Sequence, residues 1–348
     1  MLVAGTPSGV KQMLQQAWAR RGWLARLLWP VAMAYRLAMA VRTGLYRTGV
    51  LASWNAGIPV VVVGNVVVGG GGKTPLIMAL AAYFLARGVR VGVISRGYGR
   101  HSDGCLEVHA DSNPLDVGDE PLLIKRRTGA AVFVAERRID AARALRIAHP
   151  DTRLLLCDDG LQHHALQRDV DVIVFDDRGL ANGWMLPAGP LREPWPRSLN
   201  DSALVLHTGT HPAFGGFHSS RRLADAAVDP HGTPTPLQAL RGRTLVAVAA
   251  IANPDAFFNM LEARGLVLAS RTRLPDHDDF SAFRFPPGDD CTVLCTEKDA
   301  AKLFALPRPS GVKVLAVPLE FSPEQAFLAA LDARLAPHLS LVPSSHGH

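Results

Sequence analysis

The fold of this 348-residue chain is decided by one stretch, PVVVVGNVVVGGGGKT, over residues 59–74. A run of β-branched residues at 59–63 leads into glycines, and a good helix-forming stretch, 76–87, follows. This order predicts a strand, a loop and a helix. In that context a glycine-rich turn presents backbone N–H groups and a helix N-terminus to phosphate oxygens. We therefore expect a phosphate-binding loop made by Gly69, Gly70, Gly71, Gly72, Lys73 and Thr74.

Lys73 and Thr74 give this loop its expected chemistry. The lysine would pair with the β- and γ-phosphates of ATP, and the threonine hydroxyl would bind Mg²⁺. The strict pattern G-x-x-x-x-G-K-S/T is incomplete, because Val67 stands where its first glycine should be. A glycine turn with a purely structural role would not need Lys-Thr at the start of a helix. The sequence therefore predicts ATP and Mg²⁺ as cofactors.

Two downstream strands end in paired carboxylates, and both pairs are candidates for the metal. The apolar run 154–157 leads into Asp158 and Asp159, and a second run ends in the pair 176–177. Mg²⁺ prefers oxygen ligands from one or two carboxylates together with the nucleotide phosphates. On strand position alone the choice between the two pairs is open.

Short apolar runs recur along the chain, mostly separated by helical or loop-like segments. Their near-continuous apolar character is typical of strands buried on both faces of a parallel sheet. The predicted fold class is α/β: a P-loop-type, mostly parallel sheet flanked by helices, a second and smaller α/β domain, and an N-terminal amphipathic membrane-associated helix. The runs are 89–94, 131–135, 153–157, 171–175, 203–206, 244–251, 267–270, 292–295 and 314–317.

A polar, poorly periodic stretch, 214–236, suggests a junction between two domains. The expected parts are a basic interfacial helix region (1–50), a nucleotide-binding domain (51–212), an inter-domain linker (213–236), a smaller α/β domain that closes the cleft (237–335) and a tail (336–348).

Composition excludes several classes of protein. With 48% hydrophobic and 20% charged residues, the chain is neither disordered nor collagen-like. Its four cysteines form no C-x-x-C pair, so we expect a reducing cytosol and no structural zinc.

Positive charge is concentrated at the N-terminus. The formal net charge is +6, yet no Asp or Glu occurs before Asp103. Residues 1–102 hold 12 of the 37 basic residues, and the remaining 25 against 31 acidic ones make the rest of the chain −6. This asymmetry points to an anionic partner, which could be phosphate, a membrane surface or nucleic acid. No zinc finger or aromatic RNA-binding motif accompanies the basic residues, so we expect no nucleic-acid partner.

The segment 18–51 is rich in Trp, Leu, Ala and Met but is interrupted by arginines. No stretch reaches the ~18 uncharged residues of a spanning helix. On a helical wheel Arg26, Arg36 and Arg47 fall within roughly 80° of one another. This suits a helix in the membrane interface with its arginines toward anionic headgroups, although Pro30 should break or kink it. A basic helix packed on its own domain and a transit peptide are the alternatives.

Six short motifs stand out in the rest of the chain, and they are, in order, Ser95–Tyr98, Gly118–Pro121, Asp158–His163, Pro187–Pro194, Pro275–His277 and Thr296–Ala300. Together they resemble the tetraacyldisaccharide 4′-kinase family of lipid A biosynthesis, over about 29–302. The resemblance also explains the incomplete phosphate loop, since that family carries N-x-x-x-G-G-x-G-K-T-P where this chain has Asn65–Pro75.

The resemblance implies phosphoryl transfer from ATP to the 4′-hydroxyl of a tetraacyldisaccharide 1-phosphate, making lipid IVA for lipopolysaccharide. It implies two α/β domains with a cleft between them. It further implies a lipid A disaccharide precursor as substrate and a peripheral or monotopic position on the cytoplasmic face of the bacterial inner membrane, against anionic lipids. No obligate protein partner is expected.

The resemblance also assigns roles to individual residues. Asp119 would orient or deprotonate the attacking hydroxyl, assisted by His277. Without the resemblance, Asp119 would be interpreted as the N-cap of a helix beginning near Pro121. The implied Mg²⁺ ligands are Thr74, Asp158, Asp159 and Glu120, and the implied substrate-binding residues are Arg96, Gln162, His163, Arg192 and Asp276.

A membrane-associated P-loop ATPase switch is the main alternative function. Such switches carry a signature lysine just before the glycine pair, and Val68 occupies that position here. The sequence therefore favours the kinase.

Overall fold

The structure is a computed structural model that describes residues 13, 17–69, 71–196, 203–286 and 290–339. Of the predicted features, Gly70 of the phosphate loop, most of the segment before residue 17, and residues 340–348 of the tail lie outside the described residues.

Helices and strands alternate along most of the described chain, which confirms the predicted α/β class. The helices are α1 (Trp23–Arg47), α2 (Lys73–Ala86), α3 (Pro114–Val117), α4 (Asp119–Thr128), α5 (Arg138–Ala148), α6 (Pro254–Ala263), α7 (Glu297–Leu303) and α8 (Gln325–Leu335). The strands are β1 (Val60–Gly64), β2 (Val91–Ser95), β3 (Leu106–Val108), β4 (Ala131–Val134), β5 (Leu154–Asp158), β6 (Val170–Phe175), β7 (Ala203–His207), β8 (Phe217–Leu223), β9 (Ala226–Val228), β10 (Pro234–Pro236), β11 (Thr244–Ala249), β12 (Leu268–Arg273), β13 (Cys291–Thr296), β14 (Val312–Val317) and β15 (Leu319–Pro323).

The chain forms two compact units, and each is built from separate stretches of sequence. The first unit comprises Met1–Lys73, Thr152–Ser219 and Pro323–His348, and the second comprises Thr74–Asp151 and Ser220–Ser322. The predicted domain boundaries stay predictions.

In the first unit, β1 lies between β5 and β6, β7 follows β6, and β8 begins beside β7, all as parallel neighbours. Every residue of β1, β5 and β6 is buried, as their unbroken apolar runs predicted. Val63 is paired with Asp158 in the register of β1 and β5. Parallel strands end at the same edge of a sheet, so the phosphate loop and the Asp158 carboxylate lie at that edge.

In the second unit, β2 pairs with β4 in parallel, and β3 pairs with β4 in antiparallel orientation. A six-stranded sheet has the order β10-β9-β14-β13-β11-β12. Its last four strands in this order, from β14 to β12, are parallel to one another. The core beside it contains Phe257 and Phe258 of α6, both almost fully buried. Helix α6 begins at an Asn253 cap, whose side chain accepts a hydrogen bond from Ala256 N.

The segment 213–236, predicted as an inter-domain linker, contains β8, β9 and β10. Strand β8 could not be predicted from the sequence, because most of its residues are polar and half-exposed or exposed. No apolar run therefore marks it. Backbone pairing with β7 and with β10 defines these strands instead.

Helix α1 continues without a break through Pro30, contrary to the predicted break. The helix continues because one proline removes only a single backbone hydrogen bond, and the Leu, Ala and Met residues around Pro30 are good helix formers. By length and composition alone α1 could cross a membrane, with up to two charged residues in its apolar window. The prediction from sequence requires ~18 uncharged residues for a spanning helix, and α1 meets only the weaker criterion.

The two faces of α1 have different environments. Ala25 and Ala32 are fully buried, and the Tyr35 hydroxyl donates to the Arg192 carbonyl oxygen at 3.1 Å. Trp23 and Leu27 are 75% and 67% exposed. One face of α1 therefore packs on the first unit, and a row of apolar side chains on the other faces outward; this row is Trp23, Leu27, Val31, Leu37 and Val41.

Candidate active site

The first half of the phosphate loop is held by backbone pairing. Val67 bridges to Leu191, Val68 N donates to Pro190 O at 2.9 Å, and Arg192 N donates to Val66 O at 2.7 Å. Val67 is almost fully buried in this pairing. A valine can therefore replace the first glycine of the usual motif, because this part of the loop is extended rather than tightly turned.

Lys73, at the start of α2, contacts two side chains of the first unit. Its Nζ lies 2.8 Å from Asp159 Oδ1 and donates to Asn65 Oδ1 at 3.3 Å. Arg192 Nη1 lies 3.1 Å from Asp159 Oδ2. Burial raises the pKa of Asp159, but the charges and hydrogen bonds of Lys73 and Arg192 outweigh it and lower the pKa to about 2. Two of the predicted phosphate-binding cations are thus gathered around one carboxylate.

The D-G-L-Q-H motif contributes a second layer to this cluster. Gln162 Nε2 donates to Glu193 Oε1 at 2.8 Å, and Arg192 Nη1 donates to Gln162 Oε1 at 3.4 Å. His163 is half-buried, and its carbonyl oxygen accepts a hydrogen bond from Arg168. Glu193 is buried and lies in the Pro187–Pro194 motif, but the sequence alone indicated no role for it.

The ion pairs that Asp159 makes with Lys73 and Arg192 predict that the stability of the fold depends on pH. A folded pKa of about 2, below the usual 3.8, means that this carboxylate stabilises the fold above about pH 4 and loses the contribution as pH falls toward 2. The full contribution is roughly 2 kcal/mol, from 1.4 kcal/mol per pKa unit. In denaturant titrations, Asp159→Asn should be less stable than wild type at pH 7, and the gap should narrow at pH 3. An equal gap at both values would contradict the ion pairing.

In the second unit, the first turns of α2 and α4 meet through their side chains. Thr74 Oγ1 donates to Glu120 Oε2 at 3.0 Å. A hydroxyl and a carboxylate are ligand types that Mg²⁺ accepts, whereas Asp159 is already engaged by two cations. Within the described part of the chain no cluster of three or more His, Cys, Asp or Glu side chains forms a metal cage. Mg²⁺ bound through phosphates needs only one or two carboxylates, so Thr74 and Glu120 fit such an ion.

The structure brings Asp119 and His277 together in the second unit, although 158 residues separate them. His277 Nδ1 lies 3.3 Å from Asp119 Oδ2, and Lys302 Nζ donates to the same oxygen at 2.7 Å. Asp119 is 7% exposed. Burial raises its pKa, but the hydrogen bonds from His277 and Lys302 and the nearby positive charges outweigh it, so the pKa lies below 3.8. Asp119 is therefore ionised at neutral pH and able to accept a proton.

Asp119 is the first residue of α4, not its N-cap. Gly118 occupies the cap position with φ +92°, and a Cβ there would lie 3.1 Å from the Gly97 Cα atom. Glycine is needed at Gly118 for both reasons, because other residues are strained at that φ and would collide with the Ser95–Tyr98 loop. The interpretation of Asp119 as an N-cap therefore placed the start of the helix one residue too late. The Asp119 carboxylate contacts other side chains instead.

Asp276 and Arg96 are the remaining predicted substrate residues of the second unit. Asp276 is paired with Lys298, whose Nζ lies 2.9 Å from Asp276 Oδ1. The Tyr98 ring lies beside the His277 ring in a tilted arrangement, with ring centroids 5.3 Å apart. Arg96 is exposed and lines, with Tyr98, a cavity of about 520 Å³. Arginine binds phosphate through its planar fork, so this cavity has a group suited to an anionic ligand.

Comparison with known proteins agrees with the geometry. A family model described as "LpxK: Tetraacyldisaccharide-1-P 4'-kinase" matches residues 24–336. The chain is 58% identical over 340 residues to a tetraacyldisaccharide 4'-kinase of Polaromonas naphthalenivorans (strain CJ2), covering 97% of this chain and 99% of that one. It is 52% identical over 348 residues to that of Acidovorax sp. (strain JS42), covering 99% and 100%. A crystal structure of LpxK from Aquifex aeolicus in complex with ATP has a TM-score of 0.75 and 27% identity, covering 90% of this chain and 99% of that one.

Proposed function

Because the chain belongs to the tetraacyldisaccharide-1-P 4'-kinase family, we propose that it transfers the γ-phosphate of ATP to the 4′-hydroxyl of a tetraacyldisaccharide 1-phosphate. The product would be lipid IVA, within lipid A biosynthesis. The observation that carries this proposal is the buried Asp119 carboxylate, ionised and hydrogen-bonded to His277. Phosphoryl transfer requires such a group to orient or deprotonate the attacking hydroxyl.

In the proposed reaction, the 4′-oxygen forms a bond to the γ-phosphorus while the bond from that phosphorus to the β–γ bridging oxygen breaks, releasing ADP. The hydroxyl proton passes to Asp119. His277 and Lys302 both contact Oδ2, so Oδ1 is the oxygen available to the hydroxyl. Lys73 binds the transferred phosphate as a point charge. Arg192 and the exposed Arg96 are the cations suited to the remaining phosphate groups, on ATP or on the lipid.

Thr74 and Glu120 are the residues we propose to hold Mg²⁺, since their oxygens lie side by side. When bound, the ion supplies neutralisation of phosphate charge. Asp158 is buried at the end of β5, and its role as an Mg²⁺ ligand stays a prediction from its position after a strand. Asp159 is more strongly linked to Lys73 and Arg192, so we assign it to holding those cations in the absence of nucleotide.

We propose that α1 lies on the cytoplasmic face of the inner membrane, with its outward row of apolar side chains in the lipid. The helix packs on the first unit at Ala25, Ala32 and Tyr35, which are spread over three turns. A helix held along its length in this way cannot also be surrounded by lipid, so an interfacial position is favoured over a span. Arg26 and Arg42 flank the outward row at about 100° per residue, where they can reach anionic headgroups.

Replacing Leu27, Leu37 and Val41 together by glutamine is expected to lower binding to anionic vesicles by about tenfold or more. Each substitution removes apolar surface that would enter the lipid, and interfacial binding scales with that area. Vesicle sedimentation and turnover of vesicle-borne lipid should fall together, while ATP binding stays unchanged. Ile147→Gln is the matched control, because Ile147 is 82% exposed on another part of the protein. Unchanged vesicle binding by the triple variant would contradict the interfacial helix.

The kinase and the ATPase switch are separated by one assay. Radiolabelled ATP is incubated with the protein and vesicles that contain a tetraacyldisaccharide 1-phosphate, and label in the lipid is measured. The kinase predicts label in the lipid and little hydrolysis of ATP when the acceptor is left out. Hydrolysis without any transfer would support the switch instead.

A further inference from the structure

Helix α7 organises the residues around Asp119 and His277. Its N-cap, Thr296, accepts a hydrogen bond from Asp299 N, and Asp299 Oδ2 accepts one from Ala250 N at 3.2 Å. Ala250 O in turn accepts the backbone N–H of His277 at 3.2 Å. The Thr296–Ala300 motif therefore anchors the loop that carries His277, a residue whose φ of +65° is unusual for a side chain of its size.

The same helix presents two lysines four residues apart, on one face. Lys298 Nζ lies 3.2 Å from His277 Nε2, and Lys302 Nζ donates to Asp119 Oδ2 at 2.7 Å. An ammonium group can only donate, so Nε2 of His277 is the acceptor and Nδ1 carries the hydrogen that faces Asp119. Lys302 belongs to none of the six motifs. It lies at the end of the region that resembles the kinase family.

Lys302 makes a second hydrogen bond, to the Asp278 carbonyl oxygen at 3.0 Å. Its ammonium thus joins the Asp119 carboxylate to the residue that follows His277. The Lys302 and Asp119 side chains are only 13% and 7% exposed. Water is therefore a poor substitute for either partner, and removal of one would leave the other buried without its ion-pair partner.

We propose that Lys302 is a positioning residue for phosphoryl transfer, which fixes Asp119 and the His277 loop in one geometry with Asp119 Oδ1 directed to the acceptor hydroxyl. This inference rests on the proposed kinase function. Lys302 and His277 both hydrogen-bond to Oδ2, so the carboxylate cannot rotate without breaking a charged hydrogen bond. A second role, as a ligand for ATP phosphate, is disfavoured because Lys302 would first have to leave two partners inside the protein.

Lys302→Met tests the proposal, since methionine keeps most of the length of the side chain and removes its charge. We expect kcat for lipid phosphorylation to fall by about 10-fold or more, with the KM for ATP changed less than about two-fold. In an Asp119→Asn background the same substitution should lower kcat by less than about two-fold, because the group that it positions is already lost. Lys313→Met, at an exposed lysine of β14, is the matched control and should leave kcat unchanged.

Several outcomes would overturn the inference. A raised KM for ATP with unchanged kcat would make Lys302 a phosphate ligand, and equal losses in both backgrounds would make its role merely structural. Wild-type kcat in Lys302→Met would remove the residue from the reaction altogether. If the methionine variant does not fold by circular dichroism, Lys302→Gln is put through the same cycle. Failure of the proposed function is distinct from all of these, because then wild-type protein itself would not label the lipid.

Discussion

Lys73→Ala is expected to lose ATP-dependent phosphoryl transfer by at least ~10²–10³-fold, the size of effect seen when one strong electrostatic contact to a developing charge is removed. Lys73 follows the glycines and begins α2, where its ammonium can reach the phosphates of ATP. Initial rates of lipid labelling at saturating ATP measure the loss. Residual activity near the wild-type level would contradict the assignment of the phosphate loop.

The structure changes one part of this expectation. The sequence predicts that Lys73 pairs with the phosphates of ATP, and it indicates no partner for Lys73 within the protein. Lys73 instead lies 2.8 Å from Asp159, and the alanine variant leaves that carboxylate with Arg192 as its remaining cation. We expect a loss of stability of about 1 kcal/mol, visible as a lower midpoint in denaturant.

A double variant separates the two consequences of losing Lys73. In Lys73→Ala/Asp159→Asn the carboxylate that has lost its lysine partner is gone as well, so part of the stability should return. Activity should not return, because the ammonium that binds phosphate is still missing. Recovery of activity in the double variant would show that the single variant failed because Asp159 had lost its lysine partner, and the proposed contact between Lys73 and phosphate would have to be withdrawn.

The phosphate loop and the strands around it could be predicted because local signals coincide there. The buried strand β1, the glycines and the start of α2 follow one another along the chain, and each has its own pattern. The unbroken apolar runs of β5 and β6 identified buried parallel strands for the same reason. Where burial, periodicity and turn residues agree, a single sequence is sufficient to place the element.

Features that depend on distant contacts could not be predicted in the same way. Strand β8 is polar and half-exposed, and only its pairing with β7 marks it as a strand. Asp159 follows a strand, as an Mg²⁺ ligand would, and nothing local shows that Lys73 and Arg192 surround it. Lys302 lies 183 residues from Asp119, and a lysine in the last turn of a short helix is ordinary in itself.

The pairing of Asp119 with His277 could be predicted only in part from the sequence. Resemblance to a family suggested that the two residues act together, whereas sequence patterns alone favoured a helix cap for Asp119. The structure gives the reason why the cap interpretation fails: Gly118 takes the cap position, and the Asp119 side chain is left to accept hydrogen bonds from His277 and Lys302.

Asp119→Ala should lower kcat by ~10²–10⁴-fold, the usual contribution of a general base, with a much smaller change in the KM for ATP. The carboxylate contacts the groups that would surround the acceptor hydroxyl, and the phosphate-binding lysine is a different residue. Removing it also takes away the ion-pair partner of Lys302, which is 13% exposed, so the stability of each variant has to be measured alongside its rate. Asp119→Asn keeps the shape of the side chain and should show nearly the same loss of kcat.

His277→Ala should act in the same direction but more mildly, because the imidazole donates to the Asp119 oxygen that does not receive the proton. If the two residues act as one unit, the double variant Asp119→Ala/His277→Ala should be little slower than Asp119→Ala alone, since groups in one unit are not additive. Simple multiplication of the two losses would mean that His277 acts elsewhere, for instance on the lipid beside Tyr98. An effect of His277→Ala on ATP affinity alone would likewise separate the pair, and Asp119 would then be reassigned to the Mg²⁺ shell next to Glu120.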